Sequence, residues 1–166
     1  FKKAWADRYK GIIEYRPKHS TVDVDTATNT LKFDFNDDVK AQVLNVIPPQ
    51  RAGDIAHNAG LTTANRRWCE VDWLTMESTA AKNIHILGDA LQIAPQMPKS
   101  GHMANQHGKV AAAAIVALLS GRAPNDLPIY NNTCYSFVSD TDVVHVASVH
   151  RYDAEKKTML PVAGSG

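Results

Sequence analysis

The stretch NIHILGDALQIAPQMPKSGHMANQHGKVAAAAIVALLSG, residues 83–121, decides how this chain is read. Its short apolar run stops at Gly88-Asp89, and a helix rich in small residues starts only some fifteen positions later. The pattern predicts a strand over 84–88, a loop over 89–102 and a helix over about 103–119, with Gly121 as its C-cap. A buried strand that ends on Gly-Asp at its carboxyl edge puts a carboxylate where open α/β sheets bind ligands, in the crevice beyond the strand ends. Gly88 lets a ligand come close, and Asp89 can accept hydrogen bonds from the hydroxyls of a sugar or ribitol chain. The first turn of the helix, near Ser100 to Asn105, offers unpaired amide N–H groups and the positive end of a dipole. The run Ala111 to Ala114 allows that helix to approach a sheet closely. The pattern points to a nucleotide-cofactor site; the same spacing also suits a carboxylate that caps a turn and an alanine run that only packs.

Upstream, Phe1, Trp5 and Tyr9 recur every four residues on one helical face, as in a helix entered partway, so the chain is expected to be a piece of something longer. IIEYR (12–16) reads as a strand, and TVDVDTATNTLKFDF (21–35) as a hairpin around a polar turn. AQVLNVI (41–47), closed by Pro48-Pro49, reads as a strand covered on both faces. Residues 53–59 form a short helix ended by Gly60, and CEVDWLTMEST (69–79) is extended with a turn. A Pro-containing linker at 123–128 leads into alternating and β-branched runs that predict a final antiparallel sheet.

Composition narrows the function. Eighteen basic against seventeen acidic residues in 166, a formal net charge of +1, leave no electrostatic footprint for nucleic acid or an anionic membrane surface. No apolar run approaches the ~20 residues of a bilayer-spanning helix. The histidine pairs His102/His107 and His145/His150 stand five apart, a spacing that shares neither a helix face nor a strand face, so no metal site is expected. Cys69 and Cys134 flank no C-x-x-C, and either can be a plain structural thiol.

Several segments taken in order carry a resemblance: VLNVIPPQRAGDIAHNAGL (43–61), WCEVDWLTMEST (68–79), IHILGDA (84–90), MPKSGHMANQHGKVAAAAIVALL (97–119) and NTCYS (132–136). Together they closely resemble the flavoprotein subunit of flavocytochrome c sulfide dehydrogenases, over about residues 1–150. The resemblance implies an α/β fold of the glutathione-reductase type, a two-dinucleotide-binding-domain flavoprotein present here in part. Residues 1–82 would be the later part of the inserted pyridine-nucleotide-like domain, 83–125 the returning segment of the FAD domain, and 126–166 the beginning of the C-terminal interface domain. It implies FAD as cofactor, sulfide as substrate, a c-type cytochrome subunit as partner and a periplasmic location. Gly88 and Asp89 would then hold the flavin ribitol, Pro98, Lys99 and Ser100 would lie beside the isoalloxazine, and Cys134 would be one of two redox-active cysteines facing the ring.

The chain also departs from the family. It contains no G-x-G-x-x-G phosphate-binding fingerprint, and the cysteine that bonds to FAD and the second redox cysteine are expected upstream of Phe1. The expectation is therefore that this piece by itself is inactive and without FAD, that Cys134 is unpaired, and that exposed sheet edges make the piece a dimer. A related sulfide:quinone reductase, which would need an amphipathic C-terminal anchor, an NADH-type flavoprotein reductase and a non-catalytic folded module are the other readings.

Overall fold

The computed structural model describes residues 1–35 and 37–165, and the chain divides into two compact units, Phe1–Pro49 and Gln50–Gly166. In the first unit, α1 (Lys2–Arg8) stacks Trp5 between Phe1, 6.1 Å away, and Tyr15, 5.6 Å away. The expected hairpin is present: β1 (Thr21–Asp25) pairs antiparallel with β2 (Thr30–Phe33), and β2 pairs with a two-residue β3 (Val39–Lys40). Asp25 sets the turn by accepting the N–H groups of Ala27 and Thr28, and Asn29 takes the left-handed conformation at φ 53°.

Two expected strands are absent. IIEYR turns instead of extending, because Gly11 at φ 79° folds the chain so that Ile12 and Ile13 both donate to the Tyr9 carbonyl. AQVLNVI forms no strand among the described residues: Ala41 donates to the Asn29 carbonyl, but Val43 is 83% and Ile47 77% exposed, so the run lacks the two packed faces that define a central strand.

The second unit carries the site. The short helix α2 (Asp54–Asn58) ends as expected, with Gly60 left-handed at φ 70°. Residues 69–79 are extended around a turn at 73–75, where Thr75 and Met76 N–H groups return to the Asp72 carbonyl. The predicted strand 84–88 is reduced to one bridge, Glu77–His85, flanked by the bonds Ser78 N–H to Ile84 O and Ile86 N–H to Met76 O. It is antiparallel and stops before Gly88. Among the described residues the one parallel pairing is the isolated bridge Cys69–Leu91, so the chain is mixed α/β with two three-stranded antiparallel sheets.

Helix α3 (Gly101–Leu119) starts two residues earlier than the sequence suggests. Ser100 is its N-cap, with the side-chain oxygen accepting the Met103 N–H at 3.0 Å. At the other end Gly121, at φ 68°, donates to Leu118 O and Arg122 donates to Ala117 O, the two bonds of a Schellman cap. Met103, His107, Ala111 and Ala114 form its buried stripe, so half of the alanine run packs and Ala112 and Ala113 face out.

The last sheet is as expected, with β4 (Ile129–Phe137) against β5 (Val143–Asp153) and β5 against β6 (Thr158–Pro161). Its inner face is set by alternation. Tyr130 and Asn132 on β4 point into the core, and Tyr130 is directly opposite His150. Tyr130 meets Trp73 and His107 edge to face and those two rings are tilted to each other, with centroids 5.4–6.1 Å apart, among the fully buried Met76, Leu91, Met97, Met103 and Met159. The Tyr130 hydroxyl donates to the Trp73 carbonyl at 2.8 Å. Removing it in Tyr130→Phe leaves that carbonyl unpaired, and denaturant unfolding should register a loss of about 1–2 kcal/mol. A variant as stable as the parent would show that the bond contributes nothing.

Candidate functional site

The six residues singled out in the sequence lie on three neighbouring pieces of backbone: the turn at 88–90, the segment 98–100 that opens α3, and β4. Gly88 begins a single 3-10 turn (Gly88–Ala90) at φ 68°, a conformation that penalises any side chain. A Cβ at this position would stand 3.2 Å from Ala104 Cβ, so the missing side chain is also what lets the turn lie against α3. Asp89 follows with its side chain exposed.

Lys99 faces inward to the same turn. Its Nζ donates to the carbonyls of Asp89 and Leu91, both at 2.6 Å, and lies 3.7 Å from the centre of the Trp68 ring. Burial pushes the Lys99 ammonium below its ordinary range, and the Asp89 charge opposes that shift. Lys99 thus clamps the 89–91 backbone from below. Pro98, half-buried, holds the chain extended ahead of it.

Ser100 leads to the cysteine. Its hydroxyl, already accepting from Met103 N–H, donates to Asn132 Oδ1, and Asn132 Nδ2 donates to Cys134 Sγ at 3.3 Å. Tyr130, Asn132 and Cys134 share one face of β4, yet the first two are buried and Cys134 is exposed. Val146, directly opposite on β5, is 59% exposed. The inner face of the sheet therefore runs out from under α3 just where the thiol sits. Cys134 and Cys69 are both free thiols, and Cys69 is fully buried, its thiol pushed up by desolvation.

Asn132 and His107 are the parts of this site that sequence reading missed. The available signal for Asn132 was its place two residues before Cys134, on the same strand face. His107 was weighed only as half of a metal pair with His102; among the described residues no cluster of three metal-ligating side chains occurs. His107 is buried, its Nδ1 accepts the Gly88 N–H at 3.2 Å, and its Nε2 has no partner among the described residues. An accepting Nδ1 puts the ring proton on Nε2, so the ring is neutral.

A flavin would need a carboxylate open to its ribitol, close backbone approach and an uncovered face for its ring. Asp89 is exposed, Gly88 lies close against Ala104, and Cys134 and Val146 are open on the sheet face.

Desolvation pushes His107 down from 6.5 to about 4, and desolvation pushes His150 down as well. Between those pH values the unfolded chain binds the His107 proton and the folded chain does not. Stability is therefore full above about pH 6.5, falls as the pH drops toward 4 and levels off below it, with roughly 3 kcal/mol attributable to His107. Urea midpoints across this window should show the decline, and His107→Gln, which keeps an acceptor for Gly88 without titrating, should flatten most of it. An equal slope in that variant would remove His107 from the account.

Two family models match the chain. Residues 1–48 match the model described as "Sulfide dehydrogenase [flavocytochrome c] flavoprotein chain, central", and residues 126–166 match "Flavocytochrome c sulphide dehydrogenase, flavin-binding". Cys134 and Asn132 fall within the second match, whereas Gly88, Asp89 and Pro98 to Ser100 lie between the two. The matches describe successive regions of one kind of protein, appear in the order expected from the motifs, and together span more than half of the residues. This chain belongs to the flavoprotein-chain family of flavocytochrome c sulfide dehydrogenases.

Proposed function

We propose that this chain is part of an FAD-dependent oxidoreductase that oxidises sulfide at Cys134 and passes the electrons to a c-type cytochrome subunit in the periplasm. The observation that carries the reading is the thiol at the uncovered end of an otherwise buried sheet face, tied through Asn132 and Ser100 to the N-terminus of α3. In this reading residues 1–82 belong to the inserted pyridine-nucleotide-like domain, 83–125 return to the FAD domain and 126–166 open the interface domain. The family matches at 1–48, described as central, and at 126–166, described as flavin-binding, support membership of the flavoprotein chain.

Each residue then has a distinct task. Asp89 accepts hydrogen bonds from ribitol hydroxyls, and Gly88 admits the ligand to the turn. Lys99 holds that turn in shape through the Asp89 and Leu91 carbonyls, with Pro98 and Ser100 completing the wall. Cys134 shares an S–S bond with a second cysteine of the parent. Hydrosulfide attacks one sulfur of that bond; a new S–S bond forms, the old one breaks, and the electron pair leaves on a thiolate. Bound FAD supplies a two-electron acceptor for the sulfur so reduced. With no Gly-rich phosphate fingerprint in these 166 residues, the piece by itself is inactive.

Two variants of the complete flavoprotein test this. Cys134→Ser should abolish sulfide-dependent cytochrome reduction while the flavin stays bound and reducible by a small artificial donor; sulfide turnover at the parental rate would defeat the assignment. Asp89→Ala leaves a ribitol hydroxyl unpaired at a cost of about 1–3 kcal/mol, read as slow or incomplete flavin incorporation during maturation. Full flavin content reached at the normal rate would take Asp89 out of the site.

A further inference from the structure

Asn132 is an unusual residue to bury. At 1% exposure its amide is almost as dry as Tyr130 beside it, and a polar group so placed is tolerated only when its hydrogen bonds are made. Both ends are used. Oδ1 accepts the Ser100 hydroxyl, and Nδ2 lies 3.3 Å from Cys134 Sγ.

The three bonds run in one direction. The Met103 N–H, one of the unpaired amides at the positive end of α3, donates to Ser100 Oγ at 3.0 Å; Ser100 donates to Asn132 Oδ1; and Asn132 donates to the sulfur. Each donation polarises the next group, so an amide whose oxygen is engaged by a hydroxyl becomes a stronger N–H donor at its nitrogen. Cys134 also has Asn132 Oδ1 within reach, at 3.6 Å, which would serve the thiol proton. Nδ2 is the nearer of the two amide atoms, and of the two only its N–H can meet the sulfur once that sulfur carries charge. A donor on sulfur favours the thiolate over the thiol.

We propose that Asn132 is a positioning residue for Cys134, its buried amide holding the sulfur in place and presenting to it an N–H donor polarised, by way of Ser100, from the positive end of α3. The proposal deepens the reading of Cys134 as the redox cysteine and rests on it for its biological meaning. Cys134 must carry negative charge whenever its S–S bond opens with the electron pair on its own sulfur.

The test needs neither flavin nor sulfide. Iodoacetamide is added to the 166-residue chain at one fixed pH near neutrality, and alkylation of Cys134 is followed by peptide mass spectrometry, with buried Cys69 scored separately. A bond to a charged acceptor is worth about ten- to hundredfold in the ratio of the two protonation states. Because a more stable thiolate is also a weaker nucleophile, the rate changes by roughly three- to tenfold. Asn132→Leu should slow Cys134 alkylation by that factor, and Asn132→Asp, which presents an acceptor in the same shape, by at least as much. Ser100→Ala, which removes only the polarising donor, should slow it by less but in the same direction. In denaturant all four chains should react alike.

An unchanged Cys134 rate in Asn132→Leu with its cooperative unfolding intact would reduce Asn132 to packing and overturn the proposal. If Asn132→Leu does not fold, parental rates in Asn132→Asp or in Ser100→Ala have the same force. The two readings fail separately: sulfide turnover in Cys134→Ser of the complete flavoprotein defeats the redox assignment without touching these rates, and parental alkylation rates defeat the relay without touching the assignment.

Discussion

The contact between Tyr130, Trp73 and His107 is the constraint from which the site's geometry follows. Trp73 brings the extended segment 69–79, His107 brings α3, and Tyr130 brings β4 and meets both other rings edge to face. Two polar atoms of this cluster, the Tyr130 hydroxyl and His107 Nδ1, end on backbone groups. Tyr130 donates to the Trp73 carbonyl, and His107 accepts from the Gly88 amide. Once those bonds are made, the helix has one permitted rotation and the Gly88 turn one permitted height. A shift of either would leave a buried polar group stranded, which costs more than the contact itself contributes.

That fixed frame explains how residues far apart in sequence become neighbours. The turn at 88–90 is held from one side by His107 and from the other by Lys99, whose ammonium spans the Asp89 and Leu91 carbonyls. The residue after Lys99 is the cap of α3, and the cap's hydroxyl reaches β4. From Asp89 to Cys134 the site is therefore one connected sequence of contacts, although its members come from a turn, a helix end and a strand. The same arrangement places a soft nucleophile at the margin of the dry region, still held by a group from inside it.

What was legible in the sequence was what local chemistry alone decides. Gly121 closes α3 and a polar turn closes the first hairpin because these are matters of neighbouring residues, whereas the Ser100 cap lies inside what the sequence reads as loop. Alternation in β4 and β5 was readable because one sheet face is buried along half its length. The failures share the opposite cause. IIEYR and AQVLNVI have strand-like composition, but composition does not supply cover, and Ile12 at 80% and Val43 at 83% exposure are left uncovered among the described residues. At 84–88 the apolar run was real, yet its hydrogen bonds go antiparallel to 76–78 and the left-handed Gly88 ends it early. The partnership of Ser100 with Asn132 joins residues 32 positions apart and has no sequence signature.

The Lys99 clamp has one further consequence. An amine acts as a nucleophile or a Schiff-base former only when it sheds a proton and turns its lone pair toward a reactant. Here two of the three N–H directions are spent on carbonyls and an indole ring lies against the nitrogen. Although burial weakens its hold on the proton, the two carbonyls and the indole face all favour the charged ammonium over the neutral amine. Lys99 is in effect a fixed cation of the scaffold that bridges two backbone oxygens, and a reaction needing its lone pair would have to break these contacts first.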